Sequence, residues 1–157
     1  MSIFSTYHLA FLKKLNQNEV KFLVAGGQAA IYYGVRRATG DLDLLIEPTG
    51  ENGARLLKAF QELDLQVDEI KPEEFEQPLF LGLGLEPDAV DIFTITAGID
   101  FESAYGRSDV ISDSGFSINI IGLQDLIRNK EALNREGEKQ ILDQYDVAVL
   151  KKLLKGT

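Results

Sequence analysis

Apolar and polar positions alternate along this chain with two periods, and the period changes mark its elements. From Ser5 to Leu15, apolar Leu9, Phe11, Leu12 and Leu15 sit near helical spacing. Ser5 stands where an N-cap belongs, and Asn16-Gln17-Asn18 closes the predicted helix. Val20–Ala25 is a short, continuously apolar run and reads as a central strand. Gly26-Gly27 breaks it, and Gln28–Tyr33 returns to helical character with Gly34 near its end. Leu42–Glu47 is a second strand, stopped by Pro48. Gly50-Glu51-Asn52-Gly53 reads as a turn before a helix over Ala54–Leu63, whose Leu56, Leu57, Phe60 and Leu63 share one side.

The second half repeats these signals. Residues 64–78 are acidic, hold two of the four prolines, and read as a connection with one short strand at Leu65–Val67. Leu79–Leu85 and Ala89–Ile95 are strands split by Glu86-Pro87-Asp88, the spacing of a hairpin. Leu79–Leu85 is expected in the core rather than at a dimer edge. A short helix over Ile99–Tyr105 follows. Val110-Ile111 and Phe116–Ile121 flank the turn Asp113-Ser114-Gly115 as a second hairpin. Leu123–Leu133 and Glu136–Leu154 read as helices. This order predicts an α+β fold: a mixed β-sheet with helices on one face and a helical C-terminal part over residues 123–157. No repeat or linker interrupts it, so one domain over residues 1–157 is expected.

Composition changes this picture little, and charge distribution changes it more. The 157 residues suit one domain with a real core. No apolar stretch approaches the length of a membrane span, and Met1-Ser2-Ile3-Phe4-Ser5 lacks the pattern of a secretory signal. The absence of cysteine excludes disulfides and thiolate chemistry and suits a cytoplasmic protein. Net charge is −9, but residues 41–102 hold 16 acids and three bases. Such acidity argues against general nucleic-acid binding. From Arg128 onward the balance reverses, with seven bases against five acids.

Most of the acids read as solvated surface; aspartates inside strand patterns need another reason. Asp41 and Asp43 alternate along a strand and so share one side. They repel each other unless they point to water or a cation lies between them, and hard oxygen donors favour Mg²⁺ or Mn²⁺. Asp91 lies within the apolar run Ala89-Val90-Asp91-Ile92-Phe93, either facing solvent at an edge or paired or bound to metal. Gly26-Gly27, between strand and helix, either forms a tight connection or lets a phosphate approach the free N–H groups of a helix start. A dinucleotide fingerprint is absent, since positions 26–31 read Gly-Gly-Gln-Ala-Ala-Ile.

Taken together, Gly26-Gly27, thirteen residues, Asp41-x-Asp43 and a later strand Asp91 resemble the DNA-polymerase-β-type nucleotidyltransferase superfamily. Arg37-Ala38-Thr39-Gly40-Asp41-Leu42-Asp43-Leu44 is similar to the R-x-T-x-D-x-D core of its small bacterial members. These include the toxin–antitoxin (AbiEii-like or minimal) nucleotidyltransferases and those resembling kanamycin nucleotidyltransferases. Asp125-Leu126-Ile127 with Lys130, then Lys139 and Asp143–Asp146, resembles that group's ending. The resemblance implies a nucleotidyltransferase fold and transfer of a nucleoside monophosphate from an NTP, expected to be ATP, to a hydroxyl, with release of pyrophosphate. It implies that Asp41, Asp43 and Asp91 hold two Mg²⁺ or Mn²⁺ ions, with Asp91 also helping to deprotonate the acceptor. Gly26, Gly27 and Gln28 would cradle phosphate, although Gln28 departs from the family's frequent serine.

Lys130 would reach phosphate or remain a solvated helix lysine. Arg37 would contact phosphate, brace the aspartates or form a surface ion pair, and Thr39 would fix the turn before Asp41. Asp143 and Asp146 are expected as caps or salt-bridge partners, and His8 outside the chemistry. The acceptor stays open among a small molecule, a protein and tRNA, with the acidic surface favouring the first two. A helical partner protein and a homodimer are both compatible with the resemblance. The alternative is a non-catalytic nucleotide-binding, antitoxin or regulatory module on the same fold.

Overall fold

The computed structural model describes residues 2–67 and 69–156. Ser5 caps α1 (Thr6–Gln17), its hydroxyl accepting from His8 N at 3.1 Å. The apolar run Phe22–Ala25 forms β1, and α2 (Gly26–Tyr33) begins at the glycines themselves, two residues before the sequence pattern places it. β2 is Asp41–Ile46. α3 (Gly50–Glu62) also starts early, inside the expected turn, because Thr49 caps it by accepting from Asn52 N at 3.1 Å.

Residues Leu65–Val67 form no strand. Leu65, Val67 and Ile70 pack on the core from an irregular segment, which leads into a short 3₁₀ helix, Pro72–Glu76, anchored by fully buried Phe75. β3 (Phe80–Leu83) and β4 (Ala89–Phe93) form the first hairpin. α4 (Phe101–Gly106) follows, then the hairpin of β5 (Asp109–Asp113) and β6 (Phe116–Ile120), then α5 (Leu123–Ala132) and α6 (Gly137–Lys155). Among the described residues no helix is long and apolar enough to cross a membrane.

Among the described residues six strands form one mixed sheet in the order β3-β4-β2-β1-β6-β5. β1 is central, antiparallel to β2 and parallel to β6, while β2 and β4 run parallel. Strand alternation then sorts the side chains. Phe22, Val24, Leu42, Leu44, Ile46, Val90 and Ile92 turn toward the main core, where Phe11, Leu12, Leu15, Leu56 and Phe60 of α1 and α3 meet them. The opposite face carries Leu23 and Leu45 under Phe101 and Ala104 of α4. Asp41, Asp43, Leu45 and, by parallel register, Ala89, Asp91 and Phe93 share that second face. Where α4 stops covering it, the sheet presents carboxylates instead of leucines.

β3 is an edge strand rather than a core one. Leu79, Leu81 and Leu83 still reach the core, but Phe80 is 63% exposed on the open face. The apolar run therefore reflects packing on one side only, with an open cleft on the other. Asn52, buried within α3, ties this helix to the sheet: it accepts from Lys21 N at 2.8 Å and donates to Lys21 O and Glu47 O at 3.0 and 3.1 Å. His8 performs a similar duty for α1, with Nε2 3.1 Å from Ala89 O at the start of β4.

Candidate functional site

The pairing of β1, β2 and β4 brings three elements of the sequence pattern to one place. Asp43 lies opposite Ala25, the last residue of β1, and beside Asp91 of β4. Asp41, Asp43 and Asp91 each offer a carboxylate oxygen within 4.8 Å of the other two, an arrangement that could hold a divalent metal ion. Immediately after Ala25, Gly26 adopts φ +63°, and a Cβ there would overlap the Asp43 carboxylate. A Cβ on Gly27 would overlap the Arg37 guanidinium and stand 2.9 Å from Thr39 Oγ1. Both glycines are thus needed for the close approach of the α2 N-terminus to Asp43 and to the Arg37–Thr39 segment.

The electrostatics of the trio follow from crowding. Burial first, then the charges of Asp41 and Asp91, push the Asp43 carboxyl from its ordinary 3.8 to about 7, with Lys130 and Arg135 opposing. Burial, then a hydrogen bond and charge from Asp41, raises Asp91 from 3.8 to about 6, against the pull of Lys139. Like charges this close keep protons unless a cation replaces them. Thr39 orients one member, its hydroxyl donating to Asp41 Oδ1 at 3.2 Å.

Two connected cavities open on either side of this floor. The first, about 560 Å³, is lined by Gly26, Gly27, Arg37, Thr39, Asp43 and the cations Lys130, Arg135 and Lys139. The second, about 470 Å³, shares Gly26, Asp43 and those three cations, and adds Asp41, Asp91 and an apolar wall. The basic wall is built by α5 and α6. Lys130 is buried, with Nζ 2.8 Å from Asp146 Oδ2 and 3.4 Å from Asp143 Oδ1. Arg135 donates through Nε to Asp143 Oδ2 at 2.8 Å and through Nη2 to Asp143 Oδ1. Arg37 Nη1 lies 3.6 Å from Asp146 Oδ2. Three cations thus share two buried carboxylates, and the surplus positive charge faces the cleft of an otherwise acidic protein. Arg37 Nε and Nη1 find no hydrogen-bond partner among the described residues.

Most of the residues singled out in the sequence converge here: Gly26, Gly27, Arg37, Thr39, Asp41, Asp43, Asp91 and Lys130 all line the cleft. Gln28 does not bring its side chain. That side chain is buried, its Nε2 donating to Ile3 O at 2.6 Å, so only its backbone remains near the helix start. Lys130 is a buried, paired lysine rather than a solvated one. Asp143 and Asp146 are its salt-bridge partners. Arg135 belongs to no motif that marks the site; in the sequence, the basic balance after Arg128 is the signal that points to it.

No family model and no curated protein matches the sequence. Among solved structures, an antigenic nucleotidyltransferase-like protein from Paracoccidioides brasiliensis is similar to this chain. The match covers 94% of this chain and 75% of the other, with a TM-score of 0.52 at 15% identity. The chain has a nucleotidyltransferase-like fold. At that identity the likeness speaks for the fold alone, and the chemistry of the site rests on its own side chains.

Proposed function

We propose that this protein is a metal-dependent nucleotidyltransferase, moving a nucleoside monophosphate from an NTP, ATP in our reading, to a hydroxyl acceptor. The observation that carries the reading is the contact between Gly26 and Asp43: a helix N-terminus without a side chain, held against a carboxylate trio. The residues fit the groups such a reaction needs. Three convergent carboxylates, two of them holding protons above the usual range, are an oxygen donor set suited to Mg²⁺ or Mn²⁺. Arg37, beside Gly27 and with Nε and Nη1 making no hydrogen bond among the described residues, suits phosphate oxygens. When bound, divalent cations supply charge neutralisation for the triphosphate and for the entering and leaving oxygens.

The chain's own groups then divide the work. The N–H groups at the start of α2, with Arg37 and the Lys130–Arg135–Lys139 wall, hold the triphosphate in the basic cavity. Asp91 receives the proton of the acceptor hydroxyl. The acceptor oxygen bonds to the α-phosphorus as the bond to the bridging oxygen breaks, and pyrophosphate leaves. Thr39 keeps Asp41 oriented throughout.

The test uses purified protein with α-labelled NTPs, Mn²⁺ or Mg²⁺ and a panel of hydroxyl acceptors, with pyrophosphate release and label transfer as readouts. Metal-dependent turnover lost in Asp41→Asn and Asp43→Asn supports the reading. Calorimetric NTP and Mn²⁺ binding without turnover on any acceptor supports the binding-module alternative, and absence of both binding events overturns the site.

A further inference from the structure

The two cavities differ in what lines them, and the difference identifies the kind of acceptor. Gly27, Arg37 and Thr39 line only the basic cavity, while Asp41 and Asp91 line only the second. Beyond the carboxylates and the three shared cations, the second cavity has Thr96 and Asn129 and an apolar wall of Leu79, Phe80, Phe93, Ile95 and Leu133, none of which lines the basic cavity. Phe80 and Ile95 are 63% and 62% exposed, large apolar surface left in water directly beside charged groups. Register explains the layout. Phe80 pairs with Phe93 and Gly82 pairs with Asp91, so all four share the open face. Gly82 is exposed and lacks a side chain where one would stand over Asp91: a Cβ there would sit 3.6 Å from Asp91 Oδ1 and 3.5 Å from the Phe80 ring. β3 therefore offers an apolar platform and, one step along it, a gap that opens on the carboxylate.

We propose that the second cavity is the acceptor subsite and that it takes a small hydroxyl compound with a planar apolar body, the body resting on Phe80, Phe93 and Ile95 and the hydroxyl reaching Asp91 past Gly82. The assignment of this cavity to the acceptor rests on the nucleotidyltransferase reading; its preference for a planar apolar ligand does not. A cavity of about 470 Å³ is the size of a small-molecule site. A polyol, a polycation or a phosphate chain gains nothing from three apolar side chains, whereas a flat ring stacks on them.

The probe is benzyl alcohol, with glycerol as the polar counterpart, observed by saturation-transfer NMR on the full chain with and without Mn²⁺. Saturable binding of benzyl alcohol and none of glycerol is expected. Phe80→Ser should weaken binding roughly tenfold. Gly82→Leu, which fills the gap from a backbone that tolerates side chains, should abolish it. Both variants should bind Mn²⁺ like the parent. With Mn²⁺ present, the hydroxymethyl protons should relax faster than the ring protons, since the hydroxyl points to the carboxylates. No saturable binding, equal binding in both variants, or faster relaxation of the ring overturns the subsite. Failure of the parent to bind Mn²⁺ overturns the metal reading instead, while the metal-free arm still reports on the cavity.

Discussion

Replacing Asp43 with asparagine should make the metal-free protein more stable and the metal-loaded comparison reverse. Asp43 holds its proton up to about pH 7 in the folded chain, against an ordinary value of 3.8. A carboxyl with a raised folded-state value binds its proton more tightly when folded. Its stabilising contribution is therefore complete below about pH 4, is lost as pH climbs toward about 7, and stays lost above that. At about 1.4 kcal/mol per unit, the ceiling on the loss is about 4 kcal/mol. The residue is half-buried overall and lines both cavities, so roughly half of that, about 2 kcal/mol, is the expected size.

Asparagine has nearly the same shape and no charge, so Asp43→Asn escapes this loss. The variant should match the parent near pH 4 and exceed it at pH 8 by roughly 4–8 °C in Tm for a chain of this size. Mn²⁺ at a hundred times its Kd should then stabilise the parent by about 2.7 kcal/mol and the variant hardly at all, inverting the order. The assay is calorimetric or fluorescence-monitored melting at pH 4 and pH 8, in chelator and then in Mn²⁺. A metal-free Asp43→Asn protein that is less stable than the parent at pH 8, or equal Mn²⁺ stabilisation of both, would refute the reasoning.

Three further outcomes follow from contacts described above. Gly26→Ala forces a Cβ into the Asp43 carboxylate at φ +63°; it should cost about 1–2 kcal/mol of stability and weaken calorimetric Mn²⁺ affinity at least about tenfold. Asn52→Ala leaves Lys21 N without its acceptor and takes one of two donors from each of Lys21 O and Glu47 O; it should cost about 2 kcal/mol in urea unfolding without loss of Mn²⁺ binding. Asp146→Ala leaves buried Lys130 with Asp143 alone and Arg37 without its ion pair; a loss of about 3 kcal/mol is expected in urea unfolding, and a variant as stable as the parent would show that the ionic cluster contributes little.

What could be read in advance follows from which properties are local. The spacing of Leu9, Phe11, Leu12 and Leu15 announces α1 because a helix buries one side and nothing distant changes its period. The Asp41–Asp43 alternation announces a shared face for the same reason. The starts of α2 and α3 were less legible, since glycine is a poor helix former. The close approach to Asp43 and the Thr49 cap, both tertiary or junction effects, override that preference. The Leu79–Leu85 run looked like core because sequence records that a strand is apolar, not whether both of its sides are covered.

The sequence by itself determined the strand and helix periods, the glycine pair and the three carboxylates, because each is a matter of residue type at short spacing. Only the tertiary structure decided that Asp91 comes beside Asp43, since that depends on the parallel register of β2 and β4, which lie far apart in the sequence. Folding also decided the charge of the cleft. Lys130, Arg135 and Arg37 face it as a basic wall because α5 and α6 bury Asp143 and Asp146 behind them, and burial of two carboxylates among three cations is invisible to any count of charges along the chain.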